Sequence, residues 1–310
     1  MNVGADTGGT YLDIYQIAQE NFYLIRDKGY AALNLIAYHL FHQYNGVLFL
    51  SALITYALAF WRIFQSSKTP WYSVFLFFST DFFFISMNMV RQSIVVAIFI
   101  FILPYTHSEE PLKKLAYFWL VCIGATIHTT GLILLPFYFV FRYIKVTPKR
   151  ACVITVINFM LCKKMIKIII KILFLSQYFR SKFGWYFSSI YNSGEIGIFG
   201  VLMQVAIVLF ACVFYNDNRS AEYNDVMLCA LIAGNLAIYA GGIPLIGRIA
   251  YYFSAQEMVY IPCIFASIKN NKNRDIMKIT VMICYTAYML ITIYIQGQEN
   301  VLPYIMMSFK

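Results

Sequence analysis

The amino-acid sequence predicts an all-α, polytopic integral membrane protein. Of its 310 residues, 61% are hydrophobic and 12% are charged, whereas soluble domains carry about 25% charged residues. The mean hydropathy of +0.66 agrees with burial in lipid. A transmembrane helix needs about 20 apolar residues, so a chain of this length has room for about nine to ten such helices. These values exclude a soluble globular enzyme, a disordered chain and a disulfide-stapled secreted module, and they predict one membrane domain over 1–310.

The predicted elements follow from the apolar runs and the breaks between them. Residues 1–28 are polar and are predicted to form an external segment. Residues 29–43 then read as an amphipathic or partly inserted helix, broken at Asn45-Gly46. Apolar runs long enough for membrane spans follow at 46–64, 71–88, 92–106, 198–215, 226–246, 248–267 and 277–295.

The run 115–141 has 27 residues, more than one crossing requires. Polar residues around His128 interrupt it, so we expect two short or tilted pieces that meet there. A further helix begins at Ala151, and residues 176–196 are predicted to form an external polar loop.

The distribution of basic residues predicts which loops face the cytoplasm. In a soluble protein the net charge of +10 would suggest nucleic acid, but here the basic residues lie mostly between apolar runs. If 115–141 crosses twice, one side of the membrane receives 13 Lys and Arg residues and the other side 7. The richer side should be cytoplasmic. This assignment places Arg91, His128 and Arg248 at the external face.

Arg91 and His128 are the first candidates for chemistry. An ionisable residue inside a membrane segment costs on the order of 2.5–3.5 kcal/mol on insertion scales, so each needs a reason to be there. Arg91 offers a planar fork of donors that fits phosphate oxygens, or else it is an interfacial anchor. His128 has the chemistry of a general base near neutral pH, or else it is a satisfied core histidine.

Two further groups of residues suit an anionic or sugar-containing ligand. Arg248 shares one helix face with Tyr251 and Tyr252, which favours either a phosphate-and-sugar site or an aromatic belt at the interface. A basic stripe recurs on another helix every four residues. It suits either an interfacial helix on lipid headgroups or the wall of a cavity that receives pyrophosphate. The stripe consists of Lys163, Lys167 and Lys171, with Lys164 beside it.

The acidic residues leave more alternatives open. Asp81 and Glu257 are predicted mid-span carboxylates that either pair with a cation or couple to protons. Asp6 is either a base or a turn residue. The sequence contains no phosphate-binding loop, no HExxH motif, no paired acidic motif for a divalent metal, and no metal-ligand spacing among its seven cysteines. We therefore expect no metal site and no cofactor.

Four stretches of the chain resemble the EpsG family, bacterial Wzy-like polymerases of extracellular and capsular polysaccharides. They are VGADTGGTYLDIY near the start, MNMVRQSIVVAI around Arg91 and Gln92, ATIHTTGLILLPFYFV around His128, and GRIAYYF around Arg248. The order and spacing of the stretches match the family over most of the chain.

This resemblance implies a membrane-embedded, metal-independent glycosyltransferase with a GT-C-like fold in the bacterial plasma (inner) membrane. Such an enzyme joins polyprenyl-pyrophosphate-linked repeat units at the external face, for an exopolysaccharide, capsule or O-antigen. The implied partners are the lipid-linked glycan, membrane lipids, and a flippase and chain-length regulator of the same pathway, without nucleic acid. The implied catalytic residues are Arg91, His128 and Arg248. The implied substrate-binding residues are Asp6, Gln92 and Tyr252, and the residue patterns described above add Tyr251, Lys163, Lys167 and Lys171.

Three other functions fit parts of the sequence. A transporter or flippase of a lipid-linked or acidic solute would also place arginines in a cavity, with Asp81 and Glu257 coupling protons. A membrane O-acyltransferase would also use external His and Arg residues. A structural scaffold explains least, because charged residues are placed against the positive-inside bias.

Overall fold

The computed structural model describes residues 9–177, 180–181, 198–214, 221–240 and 243–297. These residues form helices and no strands. The α-helices are α1 Thr10–Glu20, α2 Lys28–Phe41, α3 Tyr44–Ser66, α4 Pro70–Ser79, α5 Phe82–Asn88, α6 Val90–Ile102, α7 Pro111–Ile127, α8 Leu134–Tyr143, α9 Pro148–Leu175, α10 Ile198–Phe214, α11 Ala221–Ala240, α12 Pro244–Ser254, α13 Glu257–Ser267 and α14 Asn271–Met289.

Several of these helices have the length and composition of membrane spans. Three helical stretches are long and apolar enough to cross a membrane: Tyr44–Ser66, Val90–His107 and Asn271–Ile295. Four shorter apolar helices are Thr129–Tyr143, Ile198–Phe214, Asn224–Ala240 and Glu257–Ser267. The described residues are therefore all-helical, as the sequence predicts, and they include helices long and apolar enough to cross a membrane. The count of nine to ten crossings stays a prediction.

The helices group into two compact units. The first contains Met1–Ile144 together with Asp275–Lys310, and the second contains Lys145–Arg274. The prediction of a single membrane domain over 1–310 stays open. The predicted external segment 1–28 contains a helix, α1, that the sequence reading did not anticipate. Most of the predicted loop 176–196 lies outside the described residues.

Helix α6 is the centre of the first unit. Nearly all of its side chains are buried, from Gln92 to Ile102 with one exception, and it packs against α3 and α7. A helix that is apolar around its whole circumference needs neighbours on every side. A 3₁₀ segment, Leu103–His107, continues it at the far end. Arg91 thus lies in the first turn of the most enclosed helix of this unit.

The predicted span 71–88 is wrong as a continuous helix, because the chain breaks between α4 and α5. Asp81 has a left-handed backbone with φ 63°, a conformation that Asp tolerates better than most residues. Its buried carboxylate accepts a hydrogen bond from Thr292 Oγ1, with Oδ2 at 2.9 Å. Thr292 lies in the π-helical segment Leu290–Ile295 that follows α14. The break in this Phe-rich run thus coincides with a buried carboxylate that accepts a hydrogen bond from a distant hydroxyl.

The run 115–141 does break at His128, as the sequence predicts. Helix α7 ends at Ile127, and a 3₁₀ segment, Thr129–Ile133, leads into α8. The Tyr117 and Tyr138 ring centroids are 5.1 Å apart, whereas a straight helix would separate these residues by about 30 Å. Tyr117 also donates a hydrogen bond to the Leu134 carbonyl, with 2.8 Å between the oxygens. The chain therefore reverses direction at this break.

The second unit is built around α9, α10 and α11, which pack against one another. Side-chain amides join α9 to α11, because Asn158 Nδ2 donates to Asn235 Oδ1 at 2.6 Å. Asn235 Nδ2 donates in turn to Thr155 Oγ1 at 3.2 Å, and Tyr239 donates to Asn158 Oδ1 at 3.0 Å. Such cross-helix hydrogen bonds are typical of helix pairs in apolar surroundings.

The predicted span 248–267 is also wrong as a single helix. Helix α12 ends at Ser254, and α13 starts at Glu257 after a turn. Glu257 is buried, and its carboxylate accepts a hydrogen bond from Gln204 Nε2 at 2.5 Å. As at Asp81, the break coincides with a buried carboxylate that has an amide or hydroxyl donor.

Candidate functional site

The centre of the candidate site is an ion pair between Arg91 and Asp27. Arg91 Nη1 lies 2.7 Å from Asp27 Oδ2, and Thr129 Oγ1 donates to the other carboxylate oxygen at 2.9 Å. Three segments far apart in the sequence thus meet at one carboxylate: the start of α2, the start of α6 and the break after α7. Hydrogen bonds to a charged group are stronger than neutral ones, so this contact fixes the Arg91 side chain.

Local sequence explains how Asp27 reaches this position. It immediately precedes α2, but its carboxylate makes no hydrogen bond to the helix end. Gly29 lets the start of α2 lie against the end of α7, because a Cβ at Gly29 would lie 2.9 Å from the carbonyl carbon of Thr126. On the facing side, Gly131 makes room for Val95, whose Cγ1 would lie 2.8 Å from an added Cβ. Close packing of these small residues brings the three segments together.

Two tyrosine rings flank the Arg91 guanidinium. Its Cζ lies 5.6 Å from the ring centroid of Tyr11 and 5.7 Å from that of Tyr30. A cation over an aromatic face is attracted to the ring, more strongly where water is excluded. Burial raises the pKa of Tyr30 well above its usual range, so this phenol is neutral at physiological pH. Tyr11 belongs to the stretch VGADTGGTYLDIY, which therefore meets the stretch that contains Arg91.

The guanidinium is more open than its carboxylate partner. The Arg91 side chain is 24% exposed and the Asp27 side chain 9%. Arg91 Nε is itself enclosed and makes no hydrogen bond within the described residues. Since buried donors are normally satisfied, an enclosed guanidinium nitrogen beside an opening suits an incoming anion. The neighbouring Gln92 is buried on α6.

His128 lies at the break that carries Thr129. Its backbone is extended, and its carbonyl accepts a hydrogen bond from Gly131 N at 2.9 Å. Both imidazole nitrogens are enclosed by protein. The structure therefore brings the predicted residues Arg91 and His128 to neighbouring segments, with Thr129 as the link.

The sequence reading missed Asp27, Thr129 and Tyr30. Asp27 stands between Arg26 and Lys28 in a polar segment, where a carboxylate looks solvated. Its position just before an apolar helix and two residues before a glycine is the signal that was available. Tyr30 resembled any interfacial tyrosine, and only its packing against Tyr11, with centroids 5.9 Å apart, sets it apart.

The other predicted site residues lie elsewhere. Arg248 is half-buried on α12, and Tyr251 and Tyr252 are buried on the same helix. These three belong to the second unit. The predicted lysines, also in the second unit, are exposed on the second half of α9; they are Lys163, Lys164, Lys167 and Lys171. Asp6 lies outside the described residues. Within the described residues, no group of three His, Cys, Asp or Glu side chains could hold a metal ion.

Comparison with known proteins matches one family model, that of the EpsG family, to residues 1–306. No curated protein and no solved structure shows significant similarity to the chain. The matched region includes all four stretches on which the sequence resemblance rests. It also includes every residue around the Arg91–Asp27 ion pair. With essentially its whole length matched, this all-helical membrane chain belongs to the EpsG family.

Proposed function

We propose that this protein is a polysaccharide polymerase that works within the bacterial plasma membrane. It would join polyprenyl-pyrophosphate-linked repeat units at the external face, without a nucleotide sugar. The observation that carries the proposal is the Arg91 guanidinium, held by Asp27 and with an enclosed Nε that makes no hydrogen bond within the described residues. Membership of the EpsG family supplies the reaction class.

The proposed reaction moves one glycosyl group from a lipid pyrophosphate to a hydroxyl. The acceptor oxygen bonds to the anomeric carbon of the donor, and the bond from that carbon to the pyrophosphate oxygen breaks. The pyrophosphate keeps the electron pair, and Arg91 stabilises the negative charge that develops on it. A positioned guanidinium can do this by two parallel hydrogen bonds.

The proton of the acceptor hydroxyl goes to a ring nitrogen of His128 in this scheme. An imidazole is the side chain best matched to proton transfer near neutral pH. Both nitrogens are enclosed, so the acceptor must displace the side chains that cover them. Asp27 and Thr129 act as positioning residues, because they contact Arg91 and the His128 segment rather than the reacting atoms.

The second unit is proposed to contribute binding residues. Arg248 would bind an anionic group of the lipid-linked substrate, with Tyr251 and Tyr252 on the same helix. The exposed lysines of α9 would attract the lipid pyrophosphate by charge. A substrate-binding role for Asp6 and Gln92 is supported by the family resemblance alone.

The test is a gel of lipid-linked glycan from cells with the gene, without it, and with single variants. Deletion, Arg91→Ala and His128→Ala should each reduce the ladder to single repeat units while the protein stays in the membrane. Arg91→Lys should restore little, because an ammonium lacks the planar fork. Arg150→Ala, at an exposed arginine of α9, is the matched control and should leave the ladder unchanged.

Other outcomes point to the alternatives. A full ladder with altered acyl content would indicate an O-acyltransferase. A full ladder that accumulates on the wrong side of the membrane would indicate a transporter or flippase. Long chains of normal length from Arg91→Ala would overturn the proposed role of this residue.

A further inference from the structure

A row of aromatic rings leads away from Arg91 along α1 and α2. It begins with the Tyr11–Tyr30 pair that flanks the guanidinium. Tyr15 comes next and packs against Tyr38, with centroids 6.3 Å apart. The Tyr38 ring in turn contacts two histidines. The complete row is Tyr11, Tyr30, Tyr15, Tyr38, His39 and His42.

Helical spacing relates the two parts of the row. Tyr11 and Tyr15 are four residues apart on α1 and share one helix face. Tyr30 and Tyr38 are eight residues apart on α2, so their directions from the helix axis differ by about 80°. Eight residues of α-helix advance about 12 Å. The row therefore extends from Arg91 over the length of a short oligosaccharide.

Exposure increases along the row. Tyr11, Tyr15 and Tyr30 are buried, Tyr38 is half-buried, and the two histidines are exposed. His39 and His42 contact Tyr38 edge-on, with centroids 5.5 and 5.9 Å away. His42 ends α2 with a left-handed backbone, φ 54°, which turns the chain sharply into α3. The row thus starts inside the first unit and opens at this corner.

We propose that the open end of this row, Tyr38 with His39 and His42, is a binding subsite for the sugar rings of the glycan. The proposal rests on the polymerase function proposed above. Aromatic faces offer apolar contact to the C–H face of a sugar, while phenol and imidazole groups exchange hydrogen bonds with its hydroxyls. A glycan joined at Arg91 would extend toward this corner, where the row becomes exposed.

A lipid headgroup is the competing occupant, since aromatic residues also form interfacial belts. Two features favour the glycan. The row begins at the guanidinium where the new glycosidic bond is proposed to form. In addition, the outer face of α1 carries the exposed acidic residues Asp13 and Glu20, and their negative charge disfavours an anionic lipid surface.

The experiment measures the KM for lipid-linked repeat units extracted from a host strain that lacks this gene. The variants are Tyr38→Ala, Tyr38→Phe and His39→Ala, each purified in lipid nanodiscs. Tyr143→Ala is the matched control, an exposed tyrosine stacked on Phe139. Its neighbour Arg142 bonds to the Thr106 carbonyl, at the end of α6 opposite Arg91, so the control is remote from the row.

Tyr38→Ala should raise the KM about three- to ten-fold, the loss expected for one aromatic contact. It should also shorten the glycan ladder. Tyr38→Phe keeps the ring contact but loses the phenol hydrogen bond, so its KM should rise less than that of Tyr38→Ala. Tyr143→Ala should stay within about two-fold of the unchanged protein, roughly the scatter of a neutral surface change. His39→Ala removes an exposed side chain, so it tests the subsite even if Tyr38→Ala fails to fold.

An unchanged KM and ladder in Tyr38→Ala and His39→Ala would overturn the subsite. If Arg91→Ala still abolishes polymer in that case, the polymerase function stands and only the subsite fails. If Arg91→Ala also leaves the polymer intact, the polymerase function itself fails. Loss of Tyr38→Ala or His39→Ala protein from the membrane, with an unchanged KM in the remainder, would instead assign the row to lipid.

Discussion

Asp27 holds Arg91 through one carboxylate oxygen, 2.7 Å from Nη1, and leaves the other oxygen to accept from Thr129. The carboxylate is more enclosed than the guanidinium, whose side chain is 24% exposed. The guanidinium is thus held by the carboxylate on one side and remains partly exposed on another. This arrangement suits a residue that must meet a mobile anion without changing its own position.

Asp27→Asn tests whether Asp27 is needed to position Arg91, because Arg91 keeps its own charge in this variant. The amide keeps the size of the side chain but loses its charge, so the guanidinium loses its ionic partner. We expect at least about tenfold less polymer, from the loss of about 1.5–3 kcal/mol in a charge-assisted hydrogen bond. The measurement is the glycan ladder, with the amount of membrane-inserted protein checked in parallel.

The control for Asp27→Asn is Glu109→Gln, which likewise replaces an ion-paired carboxylate by an amide. Glu109 pairs with Lys114 and Arg142 at an exposed position. Exposed ion pairs are screened by solvent and contribute little to stability, so this variant should make normal polymer. Wild-type ladders from both variants would contradict the positioning role of Asp27.

Gly131→Ala should disturb the break beside His128 through a steric clash. An added Cβ would lie 2.8 Å from Val95 Cγ1, closer than such contacts normally are. We expect the free energy of unfolding to fall by about 1–3 kcal/mol. Adding Val95→Ala should recover part of this loss, since it removes the clashing methyl group. Thermal unfolding in detergent measures both effects.

Gly9→Ala provides the comparison for this pair, because a Cβ there meets nothing within 4 Å. It introduces no steric clash, so any change in its melting temperature reflects the N-cap position that Gly9 occupies rather than crowding. Strictly additive losses in Gly131→Ala with Val95→Ala would show that the two residues do not clash.

The hydrogen bonds among Asn158, Asn235 and Tyr239 in the second unit should make single and double substitutions differ in their effect on the free energy of unfolding. Asn158→Leu leaves Asn235 and Tyr239 without the hydrogen bonds that Asn158 makes to them. We expect a loss of about 0.6–2 kcal/mol in the free energy of unfolding. The double variant with Asn235→Leu should recover some of it, since two apolar partners leave fewer unsatisfied groups. Val156→Leu, at an exposed position of α9, should be neutral. A double variant less stable than Asn158→Leu would contradict this account.

Glu109 predicts a small pH dependence of stability. Hydrogen bonds from Lys114 and Arg142 hold the pKa of this carboxyl below its ordinary value of 4.5. A lowered folded-state pKa gives a contribution that is present above the ordinary value and is lost as the pH falls through the lowered one. The melting temperatures of wild type and Glu109→Gln should therefore differ slightly at pH 7 and converge in acid. A difference in melting temperature that persists in acid, or that does not shrink as the salt concentration rises, would contradict an origin in these ion pairs.

The sequence predicted the helical membrane fold and the break at His128 because both follow from local composition. The runs 46–64 and 92–106 correspond to α3 and α6, with boundaries moved by a few residues. The breaks at Asp81 and before Glu257 were missed, since each depends on a donor that lies far away in the chain. A Phe-rich run carries no local sign of where such a donor will be.

The candidate site was predictable only in its cation and its histidine segment. Arg91 and His128 stood out because charge and polarity are rare within apolar runs. Asp27 did not, because a carboxylate in a polar stretch is ordinary until the fold buries it. The pairing of Asp27 with Thr129, 102 positions later, follows from helix packing around Gly29 and Gly131 that composition does not encode.

The first unit is discontinuous in the chain, and this has a consequence for its biosynthesis. The buried Asp81 carboxylate has its hydroxyl donor on Thr292, and the Tyr72 hydroxyl donates to the Lys278 carbonyl. A ribosome makes the whole of Lys145–Arg274 before it makes either of these partners. The early helices are therefore made before the segment that supplies these two partners exists. The first unit can be completed only after the intervening Lys145–Arg274 has been synthesised.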